Sequence, residues 1–172
     1  MHYISYSVFC VGIFWRNEIL ADHIKILVST MTGTAELVAE EIADALSAKG
    51  TTAEIFLMDN LDSDILTPDA AYIICTSTYG QGDVPDNGQA FIDNLTTVEP
   101  NLSGIRFGVF ALGDITYNQT FCNAGTLFDT AFQKLGATRV GEIMRHDASS
   151  GELPEDQAAE WAEEWLEELT TS

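Results

Sequence analysis

Positive charge is what this sequence has least of. Only 7 of its 172 residues are Lys or Arg, against 27 Asp and Glu, for a formal net charge of −20. A chain so poor in cations has no basic patch with which to displace counterions from a phosphate backbone, which excludes nucleic acid as a partner. The same shortage excludes docking to an anionic membrane surface. Cysteine is sparse as well. Cys10, Cys75 and Cys122 form no CxxC and no Cys/His spacing suited to zinc, and an odd count builds no disulfide framework. Such usage fits a reducing cytoplasm. Long apolar runs are also missing near the start. Val8 to Trp15 gives eight residues before Arg16, where a membrane helix needs about 20, and no basic n-region precedes the run as a secretory signal requires.

What is present is an ordinary globular content, 46% hydrophobic, in a length that favours one domain. Residues 1–22 match nothing in the pattern that follows. They are expected to form an N-terminal extension that includes a misplaced start, with native initiation near Leu20. Intact mass of the protein from its native locus tests this. The domain is expected over 23–172. Strands are expected near 24–29, 52–57, 70–76, 105–112 and 138–144. Runs such as IKILV, AYIIC and GVFAL are nearly continuous, as strands covered on both faces require. The last, TRVGEIM, is mixed and reads as an edge. Helices are expected over 34–48, 86–96, 121–135 and from Pro154 to Leu169, each with an apolar stripe at helical spacing. Residues 59–69 are too short and polar for a helix. This alternation predicts an α/β fold of three layers, doubly wound, with a five-stranded parallel sheet. Ligands of such sheets sit beyond the carboxyl ends of the strands.

Three loops at those ends carry the chemistry. The first, Ser29 to Glu36, joins a strand to a helix. Thr30, Met31, Thr32, Gly33, Thr34 and Ala35 supply hydroxyls and free amides at a helix N-terminus, an anion site; a plain Ser/Thr cap is the other reading. GxxxxGK and GxGxxG are both missing, which counts against a nucleoside triphosphate and a dinucleotide. The second loop, Thr76 to Asn87, carries Ser77, Thr78, Tyr79, Gly80, Gln81 and Gly82. The third, Ala111 to Cys122, carries Leu112, Gly113, Asp114, Tyr117, Phe121 and Cys122. Two tyrosines from adjacent strand ends can sandwich a flat ring, and a phosphate site one strand away would hold the ligand's other end. A phosphate plus a ring, without a dinucleotide signature, points to a mononucleotide.

STMTGTAE resembles the FMN phosphate loop of flavodoxins and of the FMN domains of diflavin reductases. STYGQGDVPDN and ALGDITYNQTFCNAG resemble the two ring-binding loops of those domains. NLSGIRFGVFALG, the TFC of the third loop and LPEDQAAEWAEEWL are most similar to short-chain, MioC-type flavodoxins. The resemblance spans residues 24–169. It implies strand order 2-1-3-4-5, FMN phosphate on Thr30 to Ala35, and the isoalloxazine on Ser77 to Gly82 and Leu112 to Cys122, with Tyr79 and Tyr117 on its two faces. Met31 departs from the polar residue common in relatives. Related domains place an acid by the flavin near His146 and Asp147.

The resemblance further implies a monomeric electron carrier, not an enzyme, that moves one electron at a time. Its donor would be a basic flavodoxin/ferredoxin-NADP reductase and its acceptor an enzyme resembling biotin synthase. Gly80 is expected to allow its peptide to turn during redox change. An FMN-binding scaffold or assembly factor without redox turnover is the alternative. A phosphorelay receiver is disfavoured because strands one and three end in Ser and Thr rather than a phosphorylatable Asp. A flavin enzyme is disfavoured because no general-base cluster is present. The acidic face of the last helix reads either as a docking face or as a solvated surface. The latter is preferred because that helix is expected at the sheet edge.

Overall fold

The computed structural model describes residues 23–171, so the reading of residues 1–22 falls outside the described part. The sheet begins with β1, His23–Ser29, flanked by β2, Thr52–Leu57, and β3, Ala71–Ser77. β4, Arg106–Gly113, follows β3, and every pairing is parallel in the order β2-β1-β3-β4-β5. This is the expected doubly wound arrangement. β1, β3 and β4 are buried along almost their whole lengths, which is why they read as unbroken apolar runs.

The fifth position differs from the expectation of one strand over 138–144. It is split into β5, Thr138–Arg139, and β6, Met144–Asp147, both paired with β4. Gly141 lies between them at φ +68, and its carbonyl accepts from Arg139 Nε at 2.9 Å. The left-handed glycine and this local bond carry the backbone out of the ladder. The chain re-enters two residues out of the β5 register, which keeps the same side-chain alternation, and continues to Asp147, opposite Gly113.

Four helices cover the sheet. α1, Thr34–Ala48, and α4, Pro154–Thr171, pack against each other on one face. α2, Asp86–Val98, and α3, Asn123–Lys134, cover the other. α1 buries Ala35, Val38, Ala39, Ile42 and Leu46, one stripe at helical spacing. It stops at Gly50, φ +85, where Gly50 and Thr51 donate to the carbonyls of Ser47 and Leu46, closing the orphan carbonyls of the last turn. α4 does not sit at the sheet edge as expected. Trp165 lies across β4, where a Cβ on Gly108 would collide with Trp165 Nε1. Ala158, Ala162, Trp165 and Leu169 join the core of α1, β1 and β3. The glycine at 108 is the space that the indole fills. Lys49 Nζ on the loop after α1 meets Glu163 Oε2 of α4 at 2.7 Å. The segment 59–69 holds only a short 3-10 turn, Ser63–Ile65.

Candidate functional site

A cavity of about 540 Å³ opens beyond the carboxyl ends of β3 and β4, the place at which open parallel sheets take their ligands. Its wall includes Thr34, Ser77, Thr78, Tyr79, Gly80, Leu112, Gly113, Asp114 and Tyr117. Three loops distant in sequence therefore meet around one space. Its size suits a small molecule.

The first loop is held from behind. Asn87, in the first turn of α2, accepts from the Thr30 amide at 2.9 Å and from Ser29 Oγ at 3.3 Å, and its Nδ2 donates to Asp59. The Thr30 hydroxyl accepts from the Gly33 amide at 3.0 Å. Gly33 caps α1 at φ 87, with no side-chain cap bond. The amides of Met31, Thr32, Thr34 and Ala35 consequently have no partner among the described residues. These unpaired donors, at the positive end of α1, form an anion cradle. The Thr32 and Thr34 hydroxyls lie 3.3 Å apart beside it. One detail departs from the sequence reading: the Thr30 amide faces Asn87 and is already satisfied, so the cradle's amides begin at Met31.

The second loop is a tight turn. The Gly82 and Asp83 amides both donate to the Tyr79 carbonyl, and Asp83 Oδ2 accepts from the Gln81 amide at 3.2 Å. Gly80 sits at φ +54, and a Cβ there would stand 3.0 Å from Asp83 Oδ2. Positive φ at the first central position asks for glycine. Neither Gln81 nor Gly82 lines the cavity: Gln81 is exposed to solvent and Gly82 is buried. Gly82 accepts from Asn123 Nδ2 at 2.7 Å, and Thr78 accepts from the Ala124 amide at 3.3 Å. α3 thereby fixes the second loop to the third.

In the third loop, Cys122 enters α3 at φ 54 and is fully buried. Its thiol donates to the Ala111 carbonyl at 3.4 Å. Burial pushes it up to about 12, so it stays a thiol with a packing role. Phe121 and Ala35 are likewise behind the wall rather than on it. Tyr79 and Tyr117 are exposed by 55% and 68%, unusual for large rings without a partner. Both stand on the cavity wall.

The wall has a fourth side, which the sequence reading touched only at His146 and Asp147. His146, Ala148, Glu152 and Pro154, all at or beyond β6, complete the wall. The signal was available in the rule that ligands gather at strand ends; the mixed pattern of the edge strand hid it. The acid expected near the ligand, Asp147, instead turns away. Its Oδ1 accepts from the Ile115 amide at 3.0 Å and from the Ser149 amide at 2.9 Å. The Ile115 bond is the leading cause that holds its carboxyl below the usual range. A lowered folded value means that the brace is complete above about pH 4 and is lost as pH falls through that value. The Ile115 amide resonance is therefore expected to titrate below pH 4 and to stay flat in Asp147→Ala. A flat resonance in the native protein would remove the brace.

The flavodoxin family model matches residues 26–161. Flavodoxin YqcA of Escherichia coli K12 is 42% identical over 146 residues, covering 83% of this chain and 95% of its own. The MioC protein of the same strain is 35% identical over 147 residues, covering 86% and 97%. The identity with YqcA thus exceeds that with MioC, although the sequence motifs pointed to the latter. A cysteine-to-alanine mutant of flavodoxin from Pseudomonas aeruginosa superimposes with a TM-score of 0.77 at 34% identity, covering 86% of this chain and 98% of that one. On family model, relatives and architecture together, this chain belongs to the flavodoxin family.

Proposed function

We propose that this chain is an FMN-containing electron carrier. The observation that carries the reading is the pairing of two features at one cavity: the start of α1, whose Thr34 lines the cavity and whose neighbours Met31, Thr32 and Ala35 also have unpaired amides, and two exposed tyrosines on the facing loops. Amides without partners at a helix N-terminus match a phosphate monoester. Phenol rings without partners match a flat heterocycle. Among the described residues no Lys or Arg lines the cavity, so these residues would hold the phosphate by amides, hydroxyls and the helix dipole.

When bound, FMN supplies the electron-accepting ring. The chain's own residues do the rest. Met31, Thr32, Thr34 and Ala35 would fix the phosphate; Tyr79 and Tyr117 would sandwich the ring and limit its contact with water; Gly80 would leave its peptide free to turn. The partners we propose are a basic reductase as donor and a cytoplasmic enzyme as acceptor. Twenty-seven acids against seven Lys and Arg would steer such partners to the cavity, where Asp114 stands, with Asp83 and Asp86 exposed further along the second loop.

The test is the absorption spectrum of the purified protein, followed by stopped-flow reduction with a basic NADPH-dependent flavin reductase at rising salt. We expect bound FMN and a reduction rate that falls about tenfold or more between low and physiological salt. A protein still colourless after incubation with excess FMN would end this reading. A rate indifferent to salt would remove charge steering.

A further inference from the structure

We propose that His146 is a pH-responsive positioning residue whose charge sets how tightly the cavity holds an anionic flavin. The proposal rests on the FMN reading above. It starts from a contrast in the wall of the cavity: Asp114 and Glu152 are acids, and among the described residues that form it Lys and Arg are missing and His146 is the one side chain able to become a cation.

His146 is 2% exposed at the end of β6, opposite Leu112 of β4. Its Nδ1 lies 2.9 Å from Gln157 Oε1 on the first turns of α4. Gln157 Nε2 in turn donates to Glu152 Oε2. A carboxylate only accepts, so the Gln157 amide must turn its NH₂ to Glu152 and its oxygen to the ring. Nδ1 therefore carries a proton in both charge states of the imidazole. The remaining nitrogen, Nε2, has no partner among the described residues and is not among the side-chain atoms sealed from solvent without one. Protonation at Nε2 then needs no ring flip. It converts an acceptor facing the cavity into a donor that bears charge.

The surroundings make that change count. Asp147 is adjacent on β6, with its carboxylate drawn to Ile115 and Ser149. Arg145 precedes His146 on the exposed side of the strand. From α3, the neutral Cys122 thiol approaches the His146 carbonyl at 3.7 Å. From α4 and the loop before it come Glu152, through Gln157, and Glu155, which has one carboxylate oxygen sealed and unpartnered. Asp114 and the Tyr79 and Tyr117 phenols face it from the other walls. Anions dominate this set. An empty, acid-rich cavity repels a phosphate ester; a cation at His146 reverses part of that repulsion.

The experiment is a set of titrations of the apoprotein with FMN and with riboflavin between pH 8.5 and 5.5, the range in which imidazoles charge. Quenching of flavin fluorescence reports binding. FMN affinity is expected to rise about tenfold towards low pH, the order expected for one added charge near another. Riboflavin, which lacks the phosphate, should rise by less than half as many decades. His146→Gln, neutral throughout, should keep only the shallow slope that the ligand's own phosphate imposes as it titrates at about pH 6. Gln157→Glu places a carboxylate against Nδ1 and should move the midpoint of the native profile to higher pH by about one unit, which keeps the test alive if His146→Gln folds poorly. Binding of FMN with the same pH slope in native and His146→Gln protein would overturn the proposal and leave the carrier reading standing, as would an equal slope for riboflavin. Failure of the native protein to bind FMN at any pH would overturn both.

Discussion

In Thr34→Asp, FMN affinity is expected to fall by about a thousandfold while the apoprotein becomes no less stable. Thr34 opens α1 and stands on the cavity wall. An aspartate there reaches the same unpaired amides that the phosphate would use. It would occupy them in the absence of ligand, and an acid in the first turn of a helix is favourable by about 0.3–1 kcal/mol. Towards FMN the same carboxylate is a like charge at contact distance. At an effective dielectric near 20, two unit charges about 4 Å apart interact by roughly 4 kcal/mol, which is about three decades in affinity. Riboflavin binding should change little. Parallel titrations and a thermal melt check this. Equal losses for both ligands would mean that the cradle is not where the phosphate sits, and an undiminished FMN affinity would mean that it is not a phosphate site at all.

The second large effect concerns the fold. Trp165→Ala is expected to cost about 3–5 kcal/mol. The indole is 2% exposed and packs directly on the bare backbone of Gly108. It also stacks on Trp161, with ring centroids 6.0 Å apart. The residue directly beneath on β4 is Gly108, which has no side chain to move into the vacated space. The contrast comes from Trp165→Phe. Trp165 Nε1 is buried without a hydrogen-bond partner, a group that costs about 1–3 kcal/mol to leave unmade. Phenylalanine removes that cost along with part of the packing, so its penalty should be far smaller than that of alanine. Urea unfolding measures both. Penalties of similar size for the two substitutions would show that burial of the indole N–H carries no such cost.

Much of this was legible in the residues. β1, β3 and β4 announced themselves because both faces are buried, and period alone identified them. The three loops that meet at the cavity were legible because Gly33, Gly80 and the two tyrosines occupy positions that a strand-to-helix turn must fill in a restricted way. What the sequence hid lies where tertiary context overrides pattern. The break at Gly141 was invisible, since V-G-E-I reads as continuous edge strand and only the Arg139–Gly141 bond shows why it leaves the ladder. The place of α4 was hidden for the same kind of reason: Trp161 and Trp165 mark an apolar stripe, but Gly108 is needed to say which strand it meets. Asp147 and His146 are neighbours on a strand, so their side chains point to opposite sides. The pattern could not say which one faced the cavity, and the structure gives the histidine.

The split edge of the sheet has an evolutionary corollary. β6 is bonded on one side only, to β4, and the stretch that follows it to Pro154 contributes a whole wall of the cavity. Sequence there can be exchanged, lengthened or recharged without re-registering any central strand. The central strands thus stay fixed in the sheet, while one peripheral cassette at the cavity remains open to change. Chimeras that transplant only residues 144–154 between relatives would inherit the donor's ligand tuning on the recipient's frame.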